Sequence, residues 1–285
     1  MGQENRRDEL VTYWENLAHH IDEQIWMAHP LVRRAINERV SGDPNVWPIT
    51  ALRRHLGRSI GPCLSIGCGT GGLERSLIDE NISRDVTGID ISETPLEEAR
   101  RLADGRPITY IVADAWSFLR VHPKSFDAIL FHGSLHHFDR LDELLDLVAR
   151  ALRPDGFLWY DEYVGPSRFE WSWRKLLPMN LAYYRLPSQM RRPHLVRAPI
   201  NREDPTEAIA SSEIVPATER RFKIVDRRDY GGNLLSVVYP NLRKPNEDGL
   251  PQEEFDRWIA RLIEWDREEM RRRPSFSTVI IAEPR

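Results

Sequence analysis

The chain has 285 residues, 41% of them hydrophobic and 29% charged, with a net charge of −4. That length can bury a full core in one large domain or two small ones. The mild acidity speaks against a nucleic-acid partner, and two cysteines without metal-site spacing speak against a disulfide framework. No apolar run approaches the roughly 18 residues of a membrane span, and residues 1–8 lack the apolar core of a leader peptide, so a cytoplasmic protein is expected.

Over residues 8–40, Leu10, Tyr13, Trp14, Leu17, Ile21, Ile25 and Trp26 recur at three- and four-residue spacing, which predicts helix. Pro30 breaks it, a second helix runs over 31–40, and a third over 48–56 ends at Gly57. Residues 1–57 therefore read as a helical unit, either a packing collar or a lid over a ligand cleft with Tyr13, Trp14 and Trp26 as its aromatic face.

Strands and helices then alternate. Ile60, Leu64 and Ile66 supply a first buried strand, and Gly67, Gly69, Gly71 and Gly72 a tight turn that a ligand can approach closely, before a helix over 73–80. The turn satisfies G-x-G-x-x-G, a pattern that dehydrogenases also carry and that a ligand-free turn can show by chance. A second strand over 86–92 contains Asp90, 23 positions after Gly67, where an open α/β fold places a carboxylate on ribose hydroxyls. A third strand over 108–112 runs into Asp114-Ala115-Trp116. A fourth, over 125–131, exits through His132-Gly133-Ser134-Leu135-His136-His137-Phe138. A helix over 141–152, a turn at Arg153-Pro154-Asp155-Gly156 and a fifth strand over 157–160 complete the pattern of a parallel, doubly wound sheet. Ligands sit at the carboxyl ends of such strands.

Ile66-Gly67-Cys68-Gly69-Thr70-Gly71 resembles the first motif of the class I S-adenosylmethionine-dependent methyltransferases. Gly88-Ile89-Asp90-Ile91-Ser92, the 127–138 strand and loop, and Leu152-Arg153-Pro154-Asp155-Gly156-Phe157 fit in order and spacing. The resemblance covers about residues 60–162. It implies S-adenosylmethionine as cofactor and a Rossmann-like, mostly parallel seven-stranded sheet whose last strand is antiparallel. It implies Gly67, Gly69 and Gly71, with Cys68 between them, against the methionine part. Asp90 and Ile91 fall at the ribose, Asp114 and Ala115 at the adenine, and the His132 backbone near the sulfonium arm. Tyr13 and Trp14 are the lid candidates. Many members carry an acid where this chain has Ser65, so recognition of the cofactor's amino group falls to backbone carbonyls or the N-terminal helices.

Residues 164–215 break the alternation and read as a helical insertion. Residues 168–202 hold eight arginines and lysines against Glu170 alone, a surplus of +7, with Trp171, Trp173, Tyr183 and Tyr184 interleaved. The readings are an aromatic-stapled cap, an electropositive mouth for an anionic small molecule, or a membrane-surface or partner patch. Residues 216–285 complete the core: a strand over 219–226, a short apolar segment over 234–239, a helix over 252–273 and a closing strand over 278–282.

Methyl transfer needs an in-line nucleophile and, for a hydroxyl acceptor, a base. His136 and His137 stand nearest the expected methyl, with Glu162 and Tyr163 on the same rim. No metal centre is expected, because adjacent histidines do not share one helix face. An Asn/Asp-Pro-Pro-aromatic run is absent after the fourth strand, which favours O-methylation of a small molecule over base modification. The alternatives are a non-catalytic binding protein that uses the basic insertion for a partner and a nicotinamide-dependent oxidoreductase. The 153–157 turn and the last strand count against the latter.

Overall fold

A computed structural model describes residues 25–245 and 250–285. The Tyr13 and Trp14 expectations lie outside the described residues. Seven strands form one sheet: β1 Cys63–Ile66, β2 Val86–Asp90, β3 Ile108–Val112, β4 Phe126–His132, β5 Leu152–Tyr163, β6 Phe222–Gly231 and β7 Ser277–Pro284. Their order is β3-β2-β1-β4-β5-β7-β6. β1 to β5 are parallel neighbours, and β7 inserts antiparallel between β5 and β6, as expected for the closing strand.

Parallel pairing needs crossovers, and helices supply them: α3 Gly72–Asp79, α4 Glu93–Ala103, α5 Ala115–Arg120 and α6 Leu141–Ala151. Residues alternate between the two faces of the sheet. On β4, Ala128 and Leu130 join one apolar cluster and Ile129 and Phe131 the other. Phe157 and Trp159 against Leu158 and Tyr160 do the same on β5. Each fully buried Leu, Ile or Phe among them contributes about 1.5–3 kcal/mol. The alternation continues past the core, so Asp161 and Glu162 leave β5 on opposite faces.

Before the sheet lie α1 Pro30–Ser41 and α2 Pro48–Leu56. Each begins on a proline and ends on a left-handed glycine, Gly42 at φ 79° and Gly57 at φ 67°. α1 packs on β6, with Arg39 donating to the Tyr230 carbonyl at 2.6 Å. α7 Trp173–Arg185 follows β5, α8 Ile214–Arg221 precedes β6, and α9 Leu235–Val238 and α10 Gln252–Met270 lead to β7.

Several boundaries differ from the expectation. β5 starts at Leu152, so residues 153–156 lie within the strand, beside a register shift between Phe126 and Ala128. β6 starts only at Phe222, because Ile214, Ala217 and Thr218 bury one face of a helix that runs to Arg221. The apolar 234–239 segment is a helical turn. Asp266, buried in α10, accepts the Leu234 and Leu235 amides at 2.7 and 3.2 Å and so caps it. The 164–215 insertion carries α7 and two 3₁₀ turns. Its cations stack on rings: Arg191 over Tyr184 at 4.9 Å and Arg185 over Trp265 at 5.6 Å.

Candidate active site

The carboxyl ends of β1, β2, β4 and β5 meet at the glycine turn. Gly67, Gly69 and Gly71 all have positive φ, at 68°, 53° and 76°. A Cβ on Gly67 would lie 2.7 Å from Ser134 Cβ, and one on Gly71 would lie against the Tyr110 hydroxyl. Internal packing therefore fixes those two. A Cβ on Gly69 would meet nothing within 4 Å. That open approach is the property a ligand needs. Much of the turn's hydrogen bonding is internal. The Gly67 and Cys68 amides both donate to the Ile89 carbonyl, at 2.9 and 3.1 Å. Cys68 turns its sulfur inward, where a Cβ on Gly88 would lie 3.0 Å from it, so its backbone alone is offered to a ligand.

Asp90 ends β2 and holds the turn. One carboxylate oxygen accepts the Gly69 amide at 2.9 Å and the other the Ser92 amide at 3.0 Å. A carboxylate has about four acceptor sites, so capacity remains for two hydroxyls. Burial raises the Asp90 carboxyl above its ordinary value, against these amide bonds. Ile91 follows half-buried on the same rim. Asp114 caps α5, accepting the Ser117 amide at 3.0 Å, and Ala115 is buried behind it. Ser65 is buried at the end of β1. These residues fit an adenosyl cofactor: an open glycine within the turn, a carboxylate with spare acceptor sites, and a capped helix at the third strand end.

The loop after β4 is built on Glu162. Its Oε1 accepts both the Ser134 and Leu135 amides at 2.6 Å, and its Oε2 lies 2.7 Å from His136 Nδ1. Glu162 is 1% exposed, so it orients the loop from beneath. That bond leaves Nε2 as the working atom of His136, 3.8 Å from a Glu207 carboxylate oxygen. Burial opposes charge on His136, but Glu162 and Glu207 outweigh it and push the imidazole up to about 9. His137 stacks on His136 with ring centroids 4.2 Å apart. Its Nδ1 lies 3.3 Å from buried Asp204 and 3.2 Å from the Thr206 hydroxyl. Burial and the neighbouring His136 hold His137 well below the usual imidazole range.

No metal centre is expected from two adjacent histidines on a helix; they lie instead in the 3₁₀ turn Leu135–His137, with their ring centroids 4.2 Å apart. Donor atoms of His136, His137 and Glu207 lie within 4.8 Å of one another. This is spacing a cation could use. A protonated His136 offsets one of the two negative charges beside it.

On the opposite face of β5, Asp161 accepts the Tyr230 hydroxyl at 2.6 Å and lies 4.0 Å from His132 Nε2. Arg33 of α1 contributes a half-buried cation to the same cluster and stacks 4.5 Å from the Trp47 ring. Tyr163 is turned away, donating to the Pro166 carbonyl of its own loop at 3.1 Å.

The structure thus joins His136, His137 and Glu162 in one cluster, but Glu162 lies beneath it and Tyr163 outside it. The sequence reading missed Asp204, Thr206 and Glu207. They come from the insertion, which Arg168 pins by donating to the Asn201 and Asp204 carbonyls at 3.0 and 2.9 Å. The signal available was the lone acidic run Glu203-Asp204 and Glu207, closing a basic stretch.

Residues 64–160 match a family model described as a methyltransferase domain. A ubiquinone biosynthesis O-methyltransferase of Photorhabdus laumondii is 30% identical over 99 residues, 34% of this chain and 40% of that protein. A fatty-acid O-methyltransferase of Mycolicibacterium smegmatis is 33% identical over 99 residues, 35% of this chain and 36% of its own. The matched segment therefore spans about two fifths of these relatives. A Burkholderia thailandensis 1,6-didemethyltoxoflavin-N1-methyltransferase, solved with S-adenosylhomocysteine, shares the fold over 100% of this chain and 91% of its own, with TM-score 0.54 and 16% identity. Among the described residues no helix is long and apolar enough to cross a membrane.

Proposed function

We propose that this chain, whose residues 64–160 match a methyltransferase domain, is a class I S-adenosylmethionine-dependent methyltransferase that methylates a hydroxyl oxygen of a small molecule, with His136 taking the hydroxyl proton. The observation that carries this is the buried Glu162–His136 pair at 2.7 Å, set in the loop that leaves the central strand β4. The two O-methyltransferase relatives support oxygen as the acceptor.

When bound, the cofactor supplies a methyl group already activated on a sulfonium. Gly69, Asp90 and Asp114 would hold it, at the turn, the ribose and the adenine. The remaining work is orientation and proton removal. Glu162 fixes the ring through Nδ1, so Nε2 is the atom that receives the proton. A raised pKa makes the unprotonated imidazole a stronger base, and the share of that form grows as pH approaches 9. Buried His136 and Ser134 keep the loop dry. The surplus of cations over residues 168–202, together with Arg33 on the rim, supports an acceptor that carries an anionic group.

The test is transfer of labelled methyl from S-adenosylmethionine to matched hydroxyl and amine acceptors, with and without a carboxylate. Hydroxylated acids are expected to be methylated. His136→Gln is expected to lower kcat by about 10²-fold or more, with S-adenosylhomocysteine affinity retained. Equal turnover in wild type and variant, or transfer to amines alone, would overturn the assignment.

A further inference from the structure

The described residues include five fully or nearly fully buried carboxylates, and four are accounted for. Asp266 accepts three backbone amides and faces Arg39 at 3.7 Å. Glu162 accepts two amides and faces His136. Asp204 accepts the Thr206 amide and hydroxyl on Oδ1, and His137 Nδ1 faces its Oδ2 at 3.3 Å, though that oxygen too completes no hydrogen bond. Glu269 pairs with Arg273 at 2.9 Å. Glu74, in the first turn of α3, is 0% exposed, and neither of its oxygens completes a hydrogen bond. A buried carboxylate left in this state costs several kcal/mol by ordinary desolvation. Burial raises its pKa accordingly, against the nearby Ser65 hydroxyl, His132 and Arg75.

None of the cations near it answers the deficit. Arg75 spends its guanidinium on the Thr70 carbonyl at 2.7 Å. His132 is exposed and stands by Asp161. Glu74 lies beside the Ser65 hydroxyl of β1, the Cys68 thiol of the glycine turn, Tyr110 on β3 and His132 at the end of β4. The cofactor's methionine part is expected at the carboxyl end of β1 and the turn that follows it, directly next to this pocket. That part carries an α-ammonium group and no other strong cationic donor.

We propose that Glu74 is the ammonium-recognition residue of this chain, doing from the first turn of α3 what an acid in place of Ser65 would do from β1. The assignment rests on the cofactor reading above and replaces the expectation that backbone carbonyls or N-terminal helices bind the ammonium. A charge-assisted bond to an ammonium satisfies one oxygen, and the Ser65 hydroxyl is in place to bond the other.

The test is calorimetric titration of the full chain with S-adenosylhomocysteine and with its deaminated analogue, which keeps the carboxylate and adenosine but lacks the ammonium. Wild type is expected to bind the first at least tenfold more tightly. Glu74→Gln, of nearly the same size and uncharged, is expected to lose most of that preference while binding the deaminated analogue as wild type does. The control of 5′-methylthioadenosine, which lacks the whole amino-acid part, should bind both proteins equally. Equal weakening for all three ligands would mark Glu74 as a structural residue and overturn the proposal, as would an unchanged preference. Failure of wild type to bind any of the three would overturn the cofactor reading itself, an outcome distinct from a lost preference.

Discussion

Glu162 Oε2 and His136 Nδ1 lie 2.7 Å apart, and the other oxygen of Glu162 takes two amides of the same loop. One buried carboxylate therefore sets both the path of the chain after β4 and the orientation of the ring it delivers. Replacing Glu162 by Gln keeps an acceptor for the amides but presents an NH2 group to Nδ1. Removing one partner of such a buried pair costs about 3–5 kcal/mol. Glu162→Gln should lower the Tm by several degrees and let the His136 imidazole titrate at lower pH. NMR titration of the ring is the check; an unchanged midpoint would show that Glu162 does not set it.

The pH dependence has a definite sign. His136 in the folded protein is raised to about 9, above its ordinary value of 6.5. A group raised on folding contributes stability that is fully present below its unfolded pKa and is lost as pH climbs through the folded one. The stabilisation due to His136 should therefore fade between about pH 6.5 and 9. The Tm gap between wild type and His136→Gln should narrow across that interval. If His136 is the base proposed above, kcat/KM should rise over the same window, because a base works in its unprotonated form. A flat rate profile with a narrowing Tm gap would leave His136 structural and remove it from catalysis.

The glycine turn separates packing from binding. In Gly71→Ala the new methyl meets the Tyr110 hydroxyl, and a left-handed backbone costs a further 1–2 kcal/mol or so. This variant should be strongly destabilised, and Tyr110→Phe should partly restore it. Gly69→Ala carries a similar backbone cost but meets nothing within 4 Å. It should fold, with S-adenosylhomocysteine affinity reduced tenfold or more. Asp90→Ala should weaken the same ligand by about 1.5–3 kcal/mol through the lost ribose bonds. Full affinity in either of the last two variants would place the ligand elsewhere.

How much of this was legible in the sequence follows from the range of the interactions. Caps and turns are local, so Gly42, Gly57 and the 48–56 helix could be read directly. The alternation of strands and helices, with apolar runs buried on both faces, gave the parallel sheet, and the antiparallel closing strand came from the family resemblance. The 234–239 segment could be read only as apolar, because its helical turn is capped by Asp266, some thirty positions away and invisible to local pattern. Asp204 and Glu207 were missed for the same reason. They reach His137 and His136 across about seventy positions, carried by a stretch whose basic residues drew the attention. Glu74 was read as part of a helix next to a glycine turn; only the burial of both its oxygens distinguishes it.

Arg168 ties the insertion to the His136–His137 cluster without touching the histidines. Its guanidinium donates to the Asn201 and Asp204 carbonyls and so fixes the segment that brings Asp204 to His137 and Glu207 to His136. The Asn201 side chain adds a turn by accepting the Glu203 amide at 3.0 Å. Without Arg168, Glu207 should withdraw on average from His136, and part of the field that raises the imidazole should go with it. Arg168→Ala should then shift the rise of the rate profile to lower pH while leaving S-adenosylhomocysteine affinity unchanged, since the glycine turn lies on other elements. Glu207→Gln should shift the profile the same way, and the double variant should add little to either single change. Additive shifts would mean that Arg168 acts by a route independent of Glu207. An unmoved profile in Glu207→Gln would remove that carboxylate from the site.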